Sequence, residues 1–130
     1  MSLISVPVSH GELIDKITIL EIKSERMRDP AKLANVRDEL ALLEQTWAAN
    51  AGAADIAAER AALKKVNGAL WDIEDAIRVK EKEAAFDADF IALARSVYVR
   101  NDERAAIKRA INLKLGSTLV EEKSYVDYRR

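Results

Sequence analysis

The side chains with the most chemical capacity fall on two stripes in the second half of the chain. Asn67, Trp71, Glu74 and Arg78 recur at three- and four-residue steps, with Asp75 at their edge, and that spacing puts them on one face of a helix. Further on, the positions that continue an apolar seam after Val97 become Asn101, Arg104 and Lys108, flanked by Tyr98, Asp102 and Asn112. Cations beside aromatic rings and amides can hold a small anion or a sugar through charge-assisted hydrogen bonds. The same groups can also satisfy one another as a structural network, since buried polar atoms need partners and a polar seam residue fixes helix register. The candidate ligand-binding residues are therefore Asn67, Trp71, Glu74, Asp75, Arg78, Tyr98, Asn101 and Lys108, and no residue is assigned a catalytic role.

Other constellations carry less. Glu12 and Asp15 in ELID, and Asp72 and Asp75 in DIED, each place two carboxylates three residues apart, the arrangement a Mg²⁺ site needs when oxygens converge from two helices. A chain with 22 acidic residues produces such pairs by chance, so neither a metal nor a cofactor is assigned. His10, the single histidine, belongs to the first turn of a helix and is expected to be exposed there. The sequence places no Ser or carboxylate beside it for nucleophilic catalysis. The four Gly form no phosphate-binding loop, and the absence of Cys excludes disulfides, zinc ribbons and Cys nucleophiles. Whether the protein is an enzyme stays open.

These stripes need rods to hold them, and the chain is rich in helix signals. Residues 1–9 alternate Ile4, Val6 and Val8 with small or rigid residues and contain Pro7, so they read as extended. Ser9 and Glu12 form a capping box that starts a first helix near residue 10. It ends at Asp29-Pro30, which in turn caps a second helix. Leu33, Val36, Leu40, Leu43 and Trp47 form its seam, and Asn50 and Gly52 stop it. Asp55 caps a third helix, whose seam is Leu63, Val66, Leu70, Ile73 and Ile77 and which continues to about Ala85. Gly68 weakens its middle unless a close neighbour needs the room. After a break at Phe86 and Asp87, a fourth helix runs to Gly116, and the segment 117–130 forms a tail. Helices three and four, at about 28 to 30 residues, would be roughly 42 to 45 Å long.

Composition agrees with this. Only two Pro and four Gly interrupt 130 residues, enough for one domain. The 21 basic and 22 acidic side chains leave a formal charge of -1, which removes the electrostatic case for nucleic acid. No stretch has the length and apolar character of a signal peptide or membrane span, so the expectation is a cytoplasmic protein without membrane partners.

Two familiar helical families fit poorly. All-helical nucleotide pyrophosphohydrolases carry a Glu-x-x-Glu pair that this chain lacks. The run GELIDKITILEIKSER is similar in rhythm to the first helix of helical chorismate mutases, but Pro30 cuts it short and Lys16 stands where an early Arg belongs. A third resemblance is stronger. GELIDKITILEIKSER, DPAKLANVRDELALLEQTW, LWDIEDAIRVKE, FIALARSVYVRNDERAAIKRAINLKLGS and LVEEKSY together resemble a bacterial family designated domain of unknown function 6165. That resemblance implies an architecture and a bacterial source, and no reaction.

The expected fold is all-α: one domain, an antiparallel helical bundle of about four helices in which a long helical hairpin packs on a shorter one. Facing residues of the long hairpin would set Trp71 near Asp102 and Glu74 near Tyr98. The expected role is an interaction or assembly module with a protein partner, which includes self-association as a homo-oligomer through the coiled-coil-like seams of helices two and three. The alternative is a small-molecule-binding or metal-dependent enzyme with its site between helices three and four.

Overall fold

Helix starts follow the polar side chains that can accept orphan backbone donors. In the computed structural model, which describes residues 2–130, α1 (His10–Arg26) begins after Ser9, whose Oγ accepts from the Glu12 N–H at 3.1 Å. The Glu12 carboxylate does not complete the capping box; it turns to Lys108 instead. Asp29 caps α2 (Pro30–Asn50) by accepting from Ala31 at 3.0 Å, with Pro30 in the first turn. Asp55 accepts from Ala57 at 2.9 Å one residue before the N-cap Ile56 of α3 (Ala57–Lys82), so the expected cap acts one position early. Asp87 caps α4 (Ala88–Leu115) through the Phe90 N–H at 3.0 Å.

Helix ends are equally local. α1 stops short of Pro30, with the Met27 N–H closing on the Lys23 carbonyl at 2.9 Å. α4 ends at Gly116, whose φ of 66° is the left-handed conformation glycine adopts without penalty. α3 closes in a Schellman motif. The Ala84 N–H reaches the Glu81 carbonyl at 3.0 Å and the Ala85 N–H reaches Lys80 at 2.9 Å, with Ala84 itself at φ 52°.

The hairpins assemble through one element. α3 and α4 pack against each other, and α1 packs against α2, α3 and α4, whereas α2 lies along α1 and reaches α3 through the Glu44–Arg60 ion pair at 2.7 Å. The short hairpin is thus attached to the long one mainly by α1. That is why α1 is buried nearly all round, at Leu13, Ile14, Ile17, Leu20 and Ile22 and at the small or polar Gly11, Asp15 and Thr18. Ile14 and Ile17 have no exposed surface, and each contributes about 1.5–3 kcal/mol by leaving water.

The core joins Leu13, Ile14 and Ile17 to Ile56, Leu63, Val66 and Ile111, with Leu40, Leu43 and Trp47 of α2 packed against it. Of the α2 seam only Val36 is fully buried, and of the α3 seam Leu63 and Val66 are, whereas Leu70, Ile73 and Ile77 are half-buried. Among the described residues no hydrophobic side chain beyond Val66 on α3 or before Ile111 on α4 is fully buried. The far end of the α3–α4 hairpin is two helices with nothing laid across them. Residues 117–130 have no regular structure, yet Glu121, Glu122 and Tyr128 tie them to Lys108, Arg109 and Tyr98 of α4.

Two glycines test this packing in opposite directions. A Cβ on Gly11 would lie 2.5 Å from the Lys108 backbone oxygen, whereas one on Gly68 would meet only the Arg26 Nη2 at 3.4 Å, the mobile end of a side chain. Gly11→Ala should therefore cost about 1–3 kcal/mol by overpacking, and Gly68→Ala should add about 0.5–1 kcal/mol through helix propensity. Urea denaturation of both variants checks this; equal midpoints would contradict the close α1–α4 approach.

Candidate functional site

A carboxylate inside an apolar helix face is costly unless it is paired and hydrogen-bonded. Asp15 is 1% exposed, and its carboxylate is met from two neighbouring helices. Arg104 of α4 grips it in a fork, Nε donating to Oδ1 at 2.9 Å and Nη2 to Oδ2 at 2.5 Å. Asn67 of α3 donates from Nδ2 to Asp15 Oδ1 and to Thr18 Oγ1, both at 3.0 Å. Thr18 passes its own proton to the Asp15 backbone carbonyl at 2.9 Å. Burial pushes the Asp15 carboxyl up, but the hydrogen bonds from Arg104 and Asn67 and the nearby Arg104 and Lys108 charges outweigh it and hold the group below its ordinary value.

One turn further along α4, Lys108 is 7% exposed and its Nζ lies 2.7 Å from both Glu12 of α1 and Glu121 of the tail. Burial drives its pKa down, and the two carboxylates more than reverse this, so the net shift is upward. Asn112 ends the series by accepting the Gly11 N–H at 2.7 Å. Glu12 and Asp15 thus meet two different cations on an antiparallel neighbour. Asp72 of DIED is likewise taken by Arg26 at 2.5 Å. Among the described residues no group of three or more His, Asp or Glu side chains forms a cation cage.

Above this network lies a cavity of about 580 Å³ between α1, α3 and α4. Asn67, Trp71, Glu74, Asp75, Arg78 and Asn101 line it together, with Ile19, Leu70 and Arg104. The geometry separates the other two candidates from them. Tyr98 faces the tail, its ring stacked edge-on against Tyr128 at 4.7 Å and 71°, and Lys108 is enclosed by Glu12 and Glu121. The expected neighbour of Trp71 shifts from Asp102 to Asn101, because Asp102 lies round the helix on the tail side. His10 is half-buried rather than exposed, with Nδ1 enclosed and no hydrogen-bond partner among the described residues.

Sequence reasoning noted Asp15, Thr18 and Arg104 only separately or not at all. The available signal was Asp15 itself, an acid set among Leu13, Ile14 and Ile17 on an isoleucine-rich helix. Such a residue requires a cation, and Arg104 interrupts a seam on another helix.

The chain matches a family described as a family of unknown function, DUF6165, over residues 4–128. It belongs to that family. The DUF6165 match takes in all four helices, the Asp15 network, the cavity and the tail as far as Tyr128. No curated protein and no solved structure matches the chain. Among the described residues no helix is long and apolar enough to cross a membrane.

The sign of the Asp15 shift sets a pH dependence. A folded-state pKa below the unfolded value, about 3.9, supplies stability that is complete above that pH and is lost as pH falls through the folded value. Asp15→Asn should cost about 3 kcal/mol near neutrality, the lower end for breaking a buried pair because Arg104 is partly solvated. The gap between the variant and the unmodified chain should narrow below about pH 4. Urea midpoints measured across that range decide it, and parallel profiles for the two proteins would rule out Asp15 as the titrating group.

Proposed function

We propose that the chain is a helical assembly module that works as a homo-oligomer, with the uncovered end of the α3–α4 hairpin as its contact surface. The observation that supports this reading is surface area. A monomer of 14.5 kDa typically exposes about 6,900 Å², whereas this chain exposes 9137 Å². The excess, about 2,200 Å², is of the size each protomer of an obligate dimer buries. The two extended end segments contribute to it, and so does the hairpin end. There Val79, Phe86 and Ile91 are 54%, 59% and 56% exposed, and Phe86 sits edge-on to Phe90 at 5.3 Å.

A second copy is the partner of choice on charge grounds. With 21 basic and 22 acidic residues, two copies meet no strong net repulsion. Two hairpins docked in this way would form a four-helix arrangement and bury the apolar groups that two helices alone leave wet. The reading places the module in the cytoplasm, with which the absence of Cys agrees. A second reading, ligand binding, is favoured by the open cavity above the Asp15–Arg104 pair.

Sedimentation equilibrium tests the assembly. The unmodified chain should associate at micromolar concentration, and the double variant Phe86→Asp/Ile91→Asp should weaken association at least about a hundredfold while its helical circular dichroism stays unchanged. A monomer at about 100 μM would end the proposal.

A further inference from the structure

We infer that the cavity between α1, α3 and α4, together with the neighbouring one beneath the C-terminal segment, forms a single binding site for a hydroxyl-rich ring carrying an anionic group, the chemistry of a phosphorylated sugar. The first support is unspent hydrogen-bonding capacity. The lining pairs only some of its polar groups, Arg104 with Asp15 and Arg78 with Glu74. Among the described residues the Trp71 indole, the Asp75 carboxylate and the Asn101 amide take part in no side-chain hydrogen bond or ion pair. Asn67 spends both Nδ2 hydrogens on Asp15 and Thr18, which leaves its carbonyl oxygen as its remaining polar group.

The unspent groups are mixed in kind. Trp71 and Asn101 offer donors, and Asp75 and the Asn67 oxygen offer acceptors. A hydroxyl both gives and takes a hydrogen bond, so a ring of hydroxyls matches such a wall, and the half-buried Trp71 supplies a flat apolar face for the ring to lie on. A bare anion would be a poor match at this end, because Glu74 and Asp75 both face the cavity.

The second support is the continuation of the site. Asn101 also lines an adjoining cavity of about 380 Å³, with Tyr98, Lys123 and Tyr125 on its walls. Both volumes lie in the usual range of ligand cavities, about 300–1,000 Å³. Lys123 makes no ion pair among the described residues. The one carboxylate there, Asp102, forms no ion pair with Lys123 among the described residues, so Lys123 is the group available to an anionic substituent. The segment that carries Lys123 is tied on both sides, by Glu121 to Lys108 at 2.7 Å and by Tyr128 to Tyr98 at 4.7 Å. These ties hold the cation beside Asn101 even though residues 117–130 have no regular structure.

This inference is independent of self-association. Its test titrates the full chain with the 1-phosphates of glucose, galactose and mannose, with the three free sugars, and with inorganic phosphate, followed by calorimetry and Trp fluorescence. At least one sugar phosphate should saturate the site and bind at least about tenfold more tightly than its free sugar or phosphate. Trp71→Ala, or Asn101→Ala should the first variant melt early, should abolish that binding. Lys123→Ala should reduce the sugar phosphate to the affinity of the free sugar, with the melting temperature unchanged. Absence of saturation by all three sugar phosphates at about 10 mM would overturn the proposal. So would phosphate binding as tightly as they do, or affinities that neither the Trp71 nor the Lys123 change moves.

Discussion

The burial of Asp15 is the constraint on which the arrangement of this chain depends. A carboxylate 1% exposed in the middle of α1 is tolerable only if cations and amides from neighbouring helices reach it. Arg104 and Asn67 do so from α4 and α3. That requirement sets the rotation of α1 about its axis and its height along the long hairpin at once. A slip of one residue would turn Asp15 toward an aliphatic neighbour and strand Arg104. The apolar contacts around it, chiefly Ile14, Ile17, Leu63 and Ile111, supply most of the stabilisation but are less particular, since aliphatic groups of similar volume can pack in several registers.

Once α1 is seated, the neighbouring polar contacts follow in sequence. Glu12 lies one turn before Asp15 on α1, and Lys108 one turn after Arg104 on α4, so an antiparallel pair of helices brings them together. Gly11 then comes against the Lys108 backbone closely enough for Asn112 to receive its N–H. The tail is held by what is left over, the second carboxylate of Lys108 coming from Glu121. Stability is thereby concentrated at one end of the molecule. α1 is too short to reach the tip of a hairpin whose helices run 26 and 28 residues, and the tip keeps its apolar side chains in water. The apolar side chains left in water at the tip and the cavity where α1 leaves the hairpin are the two uncovered features of the fold.

Much of this was legible in the residues. Ser9, Asp29, Asp87 and Gly116 marked helix boundaries correctly, because a cap is a contact between groups two to four residues apart. Asp55 was read one position off, since Ile56 takes the N-cap conformation while the Asp side chain still reaches Ala57. The polar stripe of α3 was recognised as a unit, and its members do share one cavity with Asn101. Tyr98 and Lys108 were grouped with them; Tyr98 lines the adjoining cavity beneath the tail and Lys108 is enclosed by Glu12 and Glu121, and the cause of the division is plain. Spacing along α4 assigns a residue to a face, but the α1 helix and the tail divide that face into separate environments, and neither division is written in the α4 segment.

Periodicity, caps and composition by themselves determined four helices, their ends and the apolar stripe each would bury, because all of these are decided within a few turns of chain. Which helix would be central, which acid would meet which cation, and which stripes would remain uncovered were decided only by tertiary structure. The physical reason is that an ion pair or an uncovered face depends on the relative heights and rotations of separate rods. Those are set by the joint burial of Asp15, Ile14 and Ile17, with the Asp15 partners Asn67 and Arg104 standing 52 and 89 residues away in sequence, over which no local pattern has control.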